Sequence, residues 1–323
     1  MKNSTNQLKL KNINLISNKL SKFIKSYTID TLGKKGVVIG LSGGLDSSVT
    51  AALATKSLGS ENVFGLIMPE KESSPQSQKL AKLLVNQLKI KSEVVDITKI
   101  LDSYDIYNIR EKIVKKYFSK FNKNCKYRLS VPKFDPKKSK LRIPFLEIQD
   151  NKNNIHQFNL NSQDFSTLYS ATSIKHRTRM AMLYFYAEKN NLSVVGSTNK
   201  SEYIQGYFVK YGDGGVDLEP IQNLYKTQVY DLGRHLKIPS KILSRKASPD
   251  TWSFETTDED FFFGISYENL DIILHARENG IEPKKIEKIT GLKTTEIKTI
   301  TKYLDKRKKS TSHMRKSPSS IKS

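Results

Sequence analysis

The sequence predicts an α/β protein built on a doubly wound parallel sheet, and two observations carry that prediction. Val37, Val38, Ile39 and Leu41 form a short apolar run broken only by Gly40, as in a strand buried on both faces of a parallel sheet. Further short apolar runs alternate with stretches of helical spacing, the order that winds a parallel sheet and puts ligands at the carboxyl ends of its strands. The 323 residues suffice for one large α/β domain with additions.

Residues 12–30 place Ile13, Ile16, Leu20, Phe23, Ile24 and Tyr27 on one face, an amphipathic helix ahead of the first strand. That strand ends at Ser42-Gly43-Gly44. From Asp46 onward Val49, Ala52 and Leu53 fall at helical spacing, with Ser47 or Asp46 placed to cap the first turn. A strand therefore runs through a glycine turn into a helix, where free N–H groups and the positive end of the helix dipole meet an anion. Gly43 and Gly44 let the backbone come close to a phosphate. The turn has neither the Gly-Lys-Ser/Thr of a Walker loop nor a GxGxxG spacing. Two hydroxyls, two glycines and an aspartate in one turn are more than a plain connection requires.

A second strand is expected at 63–68, a helix at 76–88 and a third strand at 93–97. Pro69 and the polar residues 70–77 follow the second strand at the ligand edge, a resting place for adenine or ribose. Residues 104–170 break the pattern. They open with a basic helical piece and continue with two alternating runs around Asn151-Lys152-Asn153-Asn154, read as an inserted arm with a hairpin. The arm's lysines and aromatics suit packing, subunit contact or single-stranded nucleic acid. His156 and Cys125 lack the sequence neighbours of a metal site.

The regular pattern returns with a helix at 173–189, carrying Arg177 and Arg179 near its start, and a strand at 192–195. The following stretch is dense in chemistry. Glu202 follows a strand end as a second magnesium ligand beside Asp46 would. Gly206, Gly212, Gly214 and Gly215 imply close backbone approach, while Lys210, Asp213, Asp217 and Lys226 alternate in charge. Residues 267–306 read as three helices with a glycine turn, a pattern shared with DNA-reading modules.

The formal net charge of +23 is peripheral. Residues 1–35 carry +7, 109–145 carry +11 and 298–323 carry +8, which leaves the rest at −3. Lysines outnumber arginines 45 to 10, whereas bidentate phosphate recognition favours Arg, so the excess reads as solvated faces rather than a nucleic-acid footprint. The single cysteine excludes an intrachain disulfide and a cysteine zinc cluster, and fits a reducing compartment. No signal-peptide core or membrane-length run is present, so the expected setting is the cytoplasm, without a membrane partner.

SGGLDS at 42–47 resembles the pyrophosphate loop of enzymes that split ATP between its α- and β-phosphates. Together with KHRTRM at 175–180, GSTNKSEYIQGYFVKYGDGGVDLEPI at 196–221, LYKTQV at 224–229 and SPDTW at 248–252, it resembles the ammonia-dependent NAD synthetases of the SGGxDS ATP pyrophosphatase superfamily. YFxKYGDGGxD is the selective motif; SGGxDS is widely shared. The resemblance covers most of the chain apart from the arm and the far N-terminus. It implies one catalytic domain over 1–323, bearing the arm at 104–170, a helical segment at 265–310 and a basic tail at 311–323. The implied fold is adenine-nucleotide α-hydrolase-like, a Rossmann-like homodimer. The implied reaction adenylates the nicotinate carboxylate of deamido-NAD and lets ammonia displace AMP.

Carried over by residue, the resemblance assigns ATP to Gly40, Leu41, Ser42, Gly43, Gly44, Leu45, Asp46 and Ser47, with Ser197, Lys226 and Ser248. It assigns Mg²⁺ to Asp46 and Glu202, and deamido-NAD to Arg177, Lys210, Asp217 and His313. Asp46 and Lys226 are the expected catalytic groups, and Asp213 is expected to orient ammonium or take its proton, or else to stabilise its turn. The chain departs from the family pattern in three places: Ser197 replaces a common Thr, Met314 follows His313 where a Lys is common, and the segment before Arg177 is long. A different carboxylic acid, linked to a nucleotide or sugar, stays open as the substrate. So do a helix-turn-helix protein and a tRNA-modifying pyrophosphatase. No glutaminase module fits, so ammonia comes free or from a separate glutaminase.

Overall fold

The computed structural model describes residues 8–134 and 144–321; residues 135–143 of the expected arm and the last two of the basic tail lie outside them. Helix α1 (Ile13–Lys25) passes into a wider helical turn at Ser26–Thr31 ahead of β1 (Gly36–Gly40). It packs Ile13, Ile16, Leu20 and Ile24 inward, but Phe23 remains 41% exposed, so the inward face is narrower than its spacing predicts. Next come α2 (Leu45–Leu58), β2 (Val63–Ile67), α3 (Pro75–Leu88) and β3 (Lys91–Val94).

The parallel sheet has the order β3-β2-β1-β7, where β7 is Leu192–Val195. Its central strand shows why the apolar run was informative. Val37 and Ile39 pack with Leu53, Leu84 and Val229 on one face, while Val38 packs with Leu66, Ile97 and Val194 on the other. The chain winds outward from β1 to β3 and returns on the far side at β7, so β1 and β7 flank the topological switch point. A parallel bridge from Val195 to Leu218 extends that edge.

Three local expectations need correction. The third strand lies at Lys91–Val94 rather than 93–97; the chain beyond it still follows β2, with Val95 and Ile97 donating to Ile67 and Pro69 carbonyls. Helix α2 starts after Gly44 without a side-chain cap, because Ser47 turns back to Ser42 and Asp46 is drawn to Lys226. The helix expected at 173–189 begins at Ser162, capped by Asn161, and runs to Asn190 as α6 once α4 (Thr98–Ser103), α5 (Ile106–Tyr117) and the arm's strands are counted.

The hairpin of the arm is present as β5 (Phe145–Gln149) and β6 (Ile155–Asn159), around Asp150 to Asn154. A strand that the alternation did not reveal, β4 (Lys126–Ser130), pairs antiparallel with β5 and makes a three-stranded sheet. Leu129, Leu146 and Ile148 of that sheet pack against Val114, Leu168 and Trp252. His156 pairs with Asp150 at 2.9 Å, and Cys125 is buried. Beyond β7 lie α7 (Lys200–Gln205), α8 (Lys226–His235) and α9 (Ser240–Leu243), then the expected three helices, α10 (Tyr267–Glu278), α11 (Pro283–Thr290) and α12 (Thr294–Ser310). Their core of Leu270, Ile273, Ile297, Ile300 and Leu304 also takes in Tyr225, which seats them on the start of α8.

Candidate functional site

A cavity of about 330 Å³ opens at the carboxyl ends of β1 and β7, the place that the switch point predicts. Gly40, Leu41, Ser42, Gly44, Leu45, Asp46 and Ser47 line one wall, and Ser197, Lys226 and Ser248 face it from elsewhere. Gly43 is the exception within the loop. Its φ of 71° is left-handed, and a Cβ there would sit 2.3 Å from the Ser77 carbonyl oxygen, so it serves close packing against α3. The loop hydroxyls turn inward: the Ser42 and Ser47 Oγ atoms lie 3.1 Å apart, and Ser48 donates to the Gly44 carbonyl at 2.7 Å. The first N–H groups of α2 have no intrahelical acceptor and remain available to an anion.

Behind the loop, charge is concentrated. The Lys226 side chain is 2% exposed; its ammonium pairs with Asp46 and lies 3.7 Å from Glu202. Asn199 joins the two carboxylates: its side-chain amide donates to Asp46 at 3.2 Å and its backbone N–H to Glu202 Oε2 at 3.3 Å, and as cap of α7 it accepts the Glu202 N–H at 3.1 Å. Asp258 completes the group, accepting from the hydroxyls of Tyr207 and Tyr267 at 2.9 Å each. Burial, then the Asp46 charge, pushes Glu202 well above the usual carboxylate range, and burial likewise raises Asp258. Burial works against the Lys226 charge, yet Asp46, Glu202 and Asp258 outweigh it and hold the ammonium protonated. Three carboxyl groups thus share one cation, and a second, divalent one would favour their ionised forms. No group of three His, Cys, Asp or Glu residues forms a ready cage among the described residues. Such a cation would need phosphate oxygens to complete its shell, as Mg²⁺ commonly does.

On the opposite wall His176 Nδ1 lies 3.3 Å from Asp213 Oδ1, and Asp213 also accepts the Val209 N–H at 2.8 Å. Burial raises the Asp213 carboxyl, but His176 and the Val209 N–H outweigh it and leave the group below its usual range. The Asp213 side chain is 43% exposed and meets the cavity. Of the expected dinucleotide residues, three gather at a separate rim. Arg177 donates to the Lys210 carbonyl at 3.5 Å, and the Lys210 ammonium donates to the carbonyls of His313 and Lys316 at 3.4 and 2.8 Å. Gly206 permits that docking of the tail, since its φ of 68° is left-handed and a Cβ would meet Thr311 at 2.4 Å. Asp217 stands apart, accepting from the Tyr184 hydroxyl at 3.0 Å and from the Val194 N–H at 2.7 Å.

Pro69, Ser73, Ser74 and Ser77 line the cavity as the polar stretch suggested, whereas Glu70 turns away to Lys175. Sequence reasoning missed Asp258, His176, Asn199 and Asp271. Asp271 accepts from Ser201 and from the Thr227 N–H, so it fixes the start of the helix that carries Lys226. Asn199 left a readable trace in the capping pattern Asn-x-x-Glu directly after a strand, and His176 lies within the KHRTRM motif.

Residues 16–132 and 137–318 match the family model described as NAD synthase. An NH3-dependent NAD+ synthetase of Rhizobium meliloti is 33% identical over 288 residues, spanning 89% of this chain and 86% of that protein. In structure, an NMN synthetase from Francisella tularensis superposes with a TM-score of 0.66 at 24% identity, covering 97% of this chain and 99% of the other. An NH3-dependent NAD synthetase from Campylobacter jejuni gives 0.64 at 23%, covering 97% and 100%. The two superpositions establish a shared α/β fold.

Proposed function

This chain belongs to the NAD synthase family, and we propose that its β1–β7 cavity holds ATP while deamido-NAD enters from the rim of Arg177, Lys210 and His313. The protein is a C–N-forming ligase that uses ATP and ammonia to convert deamido-NAD to NAD. The helix-turn-helix and tRNA-modifying alternatives are not favoured by this membership. The observation that carries the site assignment is the convergence of the SGGLDS loop with Asp46, Glu202 and Lys226, drawn from three separate segments.

In this reading Asp46 and Glu202 would hold Mg²⁺, which when bound supplies positive charge to the phosphates. A nicotinate carboxylate oxygen attacks the α-phosphorus of ATP, the bond to the bridging oxygen breaks, and pyrophosphate leaves. The loop N–H groups and the Lys226 ammonium stabilise the charge that develops on that leaving group. Ammonia then forms the C–N bond at the acyl carbon, the bond to AMP breaks, and the surplus proton must find an acceptor. Asp213, whose carboxyl lies 3.3 Å from His176 and is held below its usual range there, is placed to orient ammonium or to take its proton. Ser197 and Ser248 contribute hydroxyls to the nucleotide, whereas the expected dinucleotide role of Asp217 has no support in its contacts with Tyr184 and Val194.

The reading also carries a homodimer, ammonia free or from a separate glutaminase, and a cytoplasmic setting. No helix among the described residues is long and apolar enough to cross a membrane. The test is release of AMP and pyrophosphate from ATP, Mg²⁺ and ammonium, with deamido-NAD and other carboxylates added singly. Stimulation by deamido-NAD with NAD formed is the expected result. Stimulation only by another carboxylate would overturn the substrate while keeping the adenylation chemistry.

A further inference from the structure

Four ion-paired side chains lie behind the cavity wall and take no part in the chemistry above. Arg110 and Lys175 are fully buried, and so is the side chain of Glu70, while Glu72 is nearly so. Arg110 comes from α5 and Lys175 from α6; the two glutamates follow β2. Arg110 Nη1 pairs with Glu72 at 2.5 Å, and Lys175 Nζ pairs with Glu72 at 2.5 Å and Glu70 at 2.7 Å. The Tyr107 hydroxyl donates to the other Glu70 oxygen at 2.6 Å. Two cations and two anions balance.

Both cations also reach one peptide carbonyl on a different loop. Lys175 donates to the Thr251 oxygen at 3.0 Å and Arg110 at 3.4 Å. The Arg110 guanidinium lies over two rings, 4.7 Å from the Trp252 centroid and 5.0 Å from that of Tyr127. The Ser74 N–H donates to Asp250 at 3.1 Å, tying the same two loops a second time. Both loops line the cavity, Ser73 and Ser74 from one and Ser248, Asp250 and Thr251 from the other. Strand β4 of the arm braces the second loop from behind. Tyr127 donates its N–H to Ser253 Oγ at 3.1 Å and accepts from the Phe254 N–H at 3.2 Å, and the Val131 N–H reaches the Asp260 carbonyl at 2.8 Å.

We propose that Arg110, Lys175, Glu70 and Glu72 form a clasp that sets the relative placement of the two cavity-lining loops, so that the inserted arm positions the ATP site. A buried ion quartet is a poor source of stability, since apolar side chains of the same volume would hold the core as well. It does fix register, because each charge accepts a limited set of partner positions. Arg110 and Lys175 are positioning residues, and touching neither nucleotide nor acyl group, they act through Thr251 and the loop around it. The inference rests on the assignment of ATP to this cavity.

The test uses Trp252, the single tryptophan of the chain, which is stacked on the clasp. ATP is titrated into the full-length protein while Trp252 emission is followed, and steady-state constants are measured for ATP and deamido-NAD. The double variant Arg110→Met with Glu72→Gln removes one charge of each sign, leaving Lys175 with Glu70. It is expected to melt close to the wild type, to raise the KM for ATP roughly tenfold or more, and to leave kcat and the KM for deamido-NAD within about threefold. The half-saturation of the Trp252 signal should shift by the same factor as the KM. Arg110→Lys keeps the charge but not the fork, and should fall between the two. An unchanged KM for ATP in a folded double variant overturns the clasp, as does a uniform loss of all constants in step with lost thermal stability. Should the double variant fail to fold, Arg110→Lys decides by the same comparison. A wild type that binds ATP but ignores deamido-NAD would refute the substrate reading, and the ATP titration would still judge the clasp.

Discussion

Replacing Asp46 by Asn removes one charge from the acid cluster and keeps an amide of the same size. Losing one partner of a buried ion pair costs about 3–5 kcal/mol when the survivor is left uncompensated. Lys226 is not left so: Glu202 remains 3.7 Å away, and the charge of Asp258 still acts on the ammonium. Removing Asp46 also lifts part of the repulsion that raises Glu202, which then ionises more readily and takes over the pairing. What remains is the weakened contact with Asn199 at 3.2 Å and the loss of an acidic group in the first turn of α2. The first is worth about 1 kcal/mol and the second about 0.3–1 kcal/mol, so the fold should lose about 1–2 kcal/mol in all. Catalysis has no such substitute, because the carboxylate that would hold Mg²⁺ against the phosphates is what goes, and kcat/KM should fall about 10²–10³-fold. Initial rates of AMP and pyrophosphate release, read beside thermal unfolding of the same sample, measure both quantities. A folded Asp46→Asn protein within about threefold of wild-type kcat/KM would refute the assignment.

Other perturbations test other parts of the site. Lys226→Met leaves Asp46, Glu202 and Asp258 facing one another, so it should lower stability by about 3–5 kcal/mol, and Mg²⁺ should raise its melting temperature more than that of the wild type. Equal Mg²⁺ shifts for both would remove these carboxylates as the cation site. Gly43→Ala forces a side chain into a left-handed backbone and against the Ser77 carbonyl, which should cost about 1–3 kcal/mol in a denaturant titration and weaken ATP binding. Glu219, pushed by burial from 4.5 up to about 8, holds a proton in the fold that the unfolded chain has released. Its contribution is therefore complete below about pH 4.5 and lost as pH rises toward 8, with a slope of up to about 1.4 kcal/mol per unit. Glu219→Gln keeps an acceptor for the Thr198 N–H and should gain on the wild type across that window in urea melts at successive pH values; parallel curves would contradict it.

Legibility followed the distance over which each signal is written. The strand, glycine turn and helix from Gly36 to Leu58 are contiguous, and their periodicity and turn chemistry point the same way. The β5–β6 hairpin and the three C-terminal helices were legible for the same reason. Strand β4 was not, because its alternation sits among basic residues and its partner β5 lies beyond residues 135–143. The start of α6 was hidden likewise: residues 162–172 are largely polar, and only packing against α5 makes them helical.

What the sequence determined alone was the winding of the sheet, the glycine turn that enters α2 and, through its motifs, the family. These depend on residues close enough to share a turn or a repeat. The tertiary structure decided the company each charge keeps. Asp258 reaches Tyr207 across fifty-one positions, Lys226 reaches Asp46 across 180, and Lys175 reaches Glu70 across 105. Charged side chains at such separations carry no period and no turn preference, so nothing local marks them as partners. Burial pairs them, because an ionised group taken from water must meet its complement wherever the fold brings it.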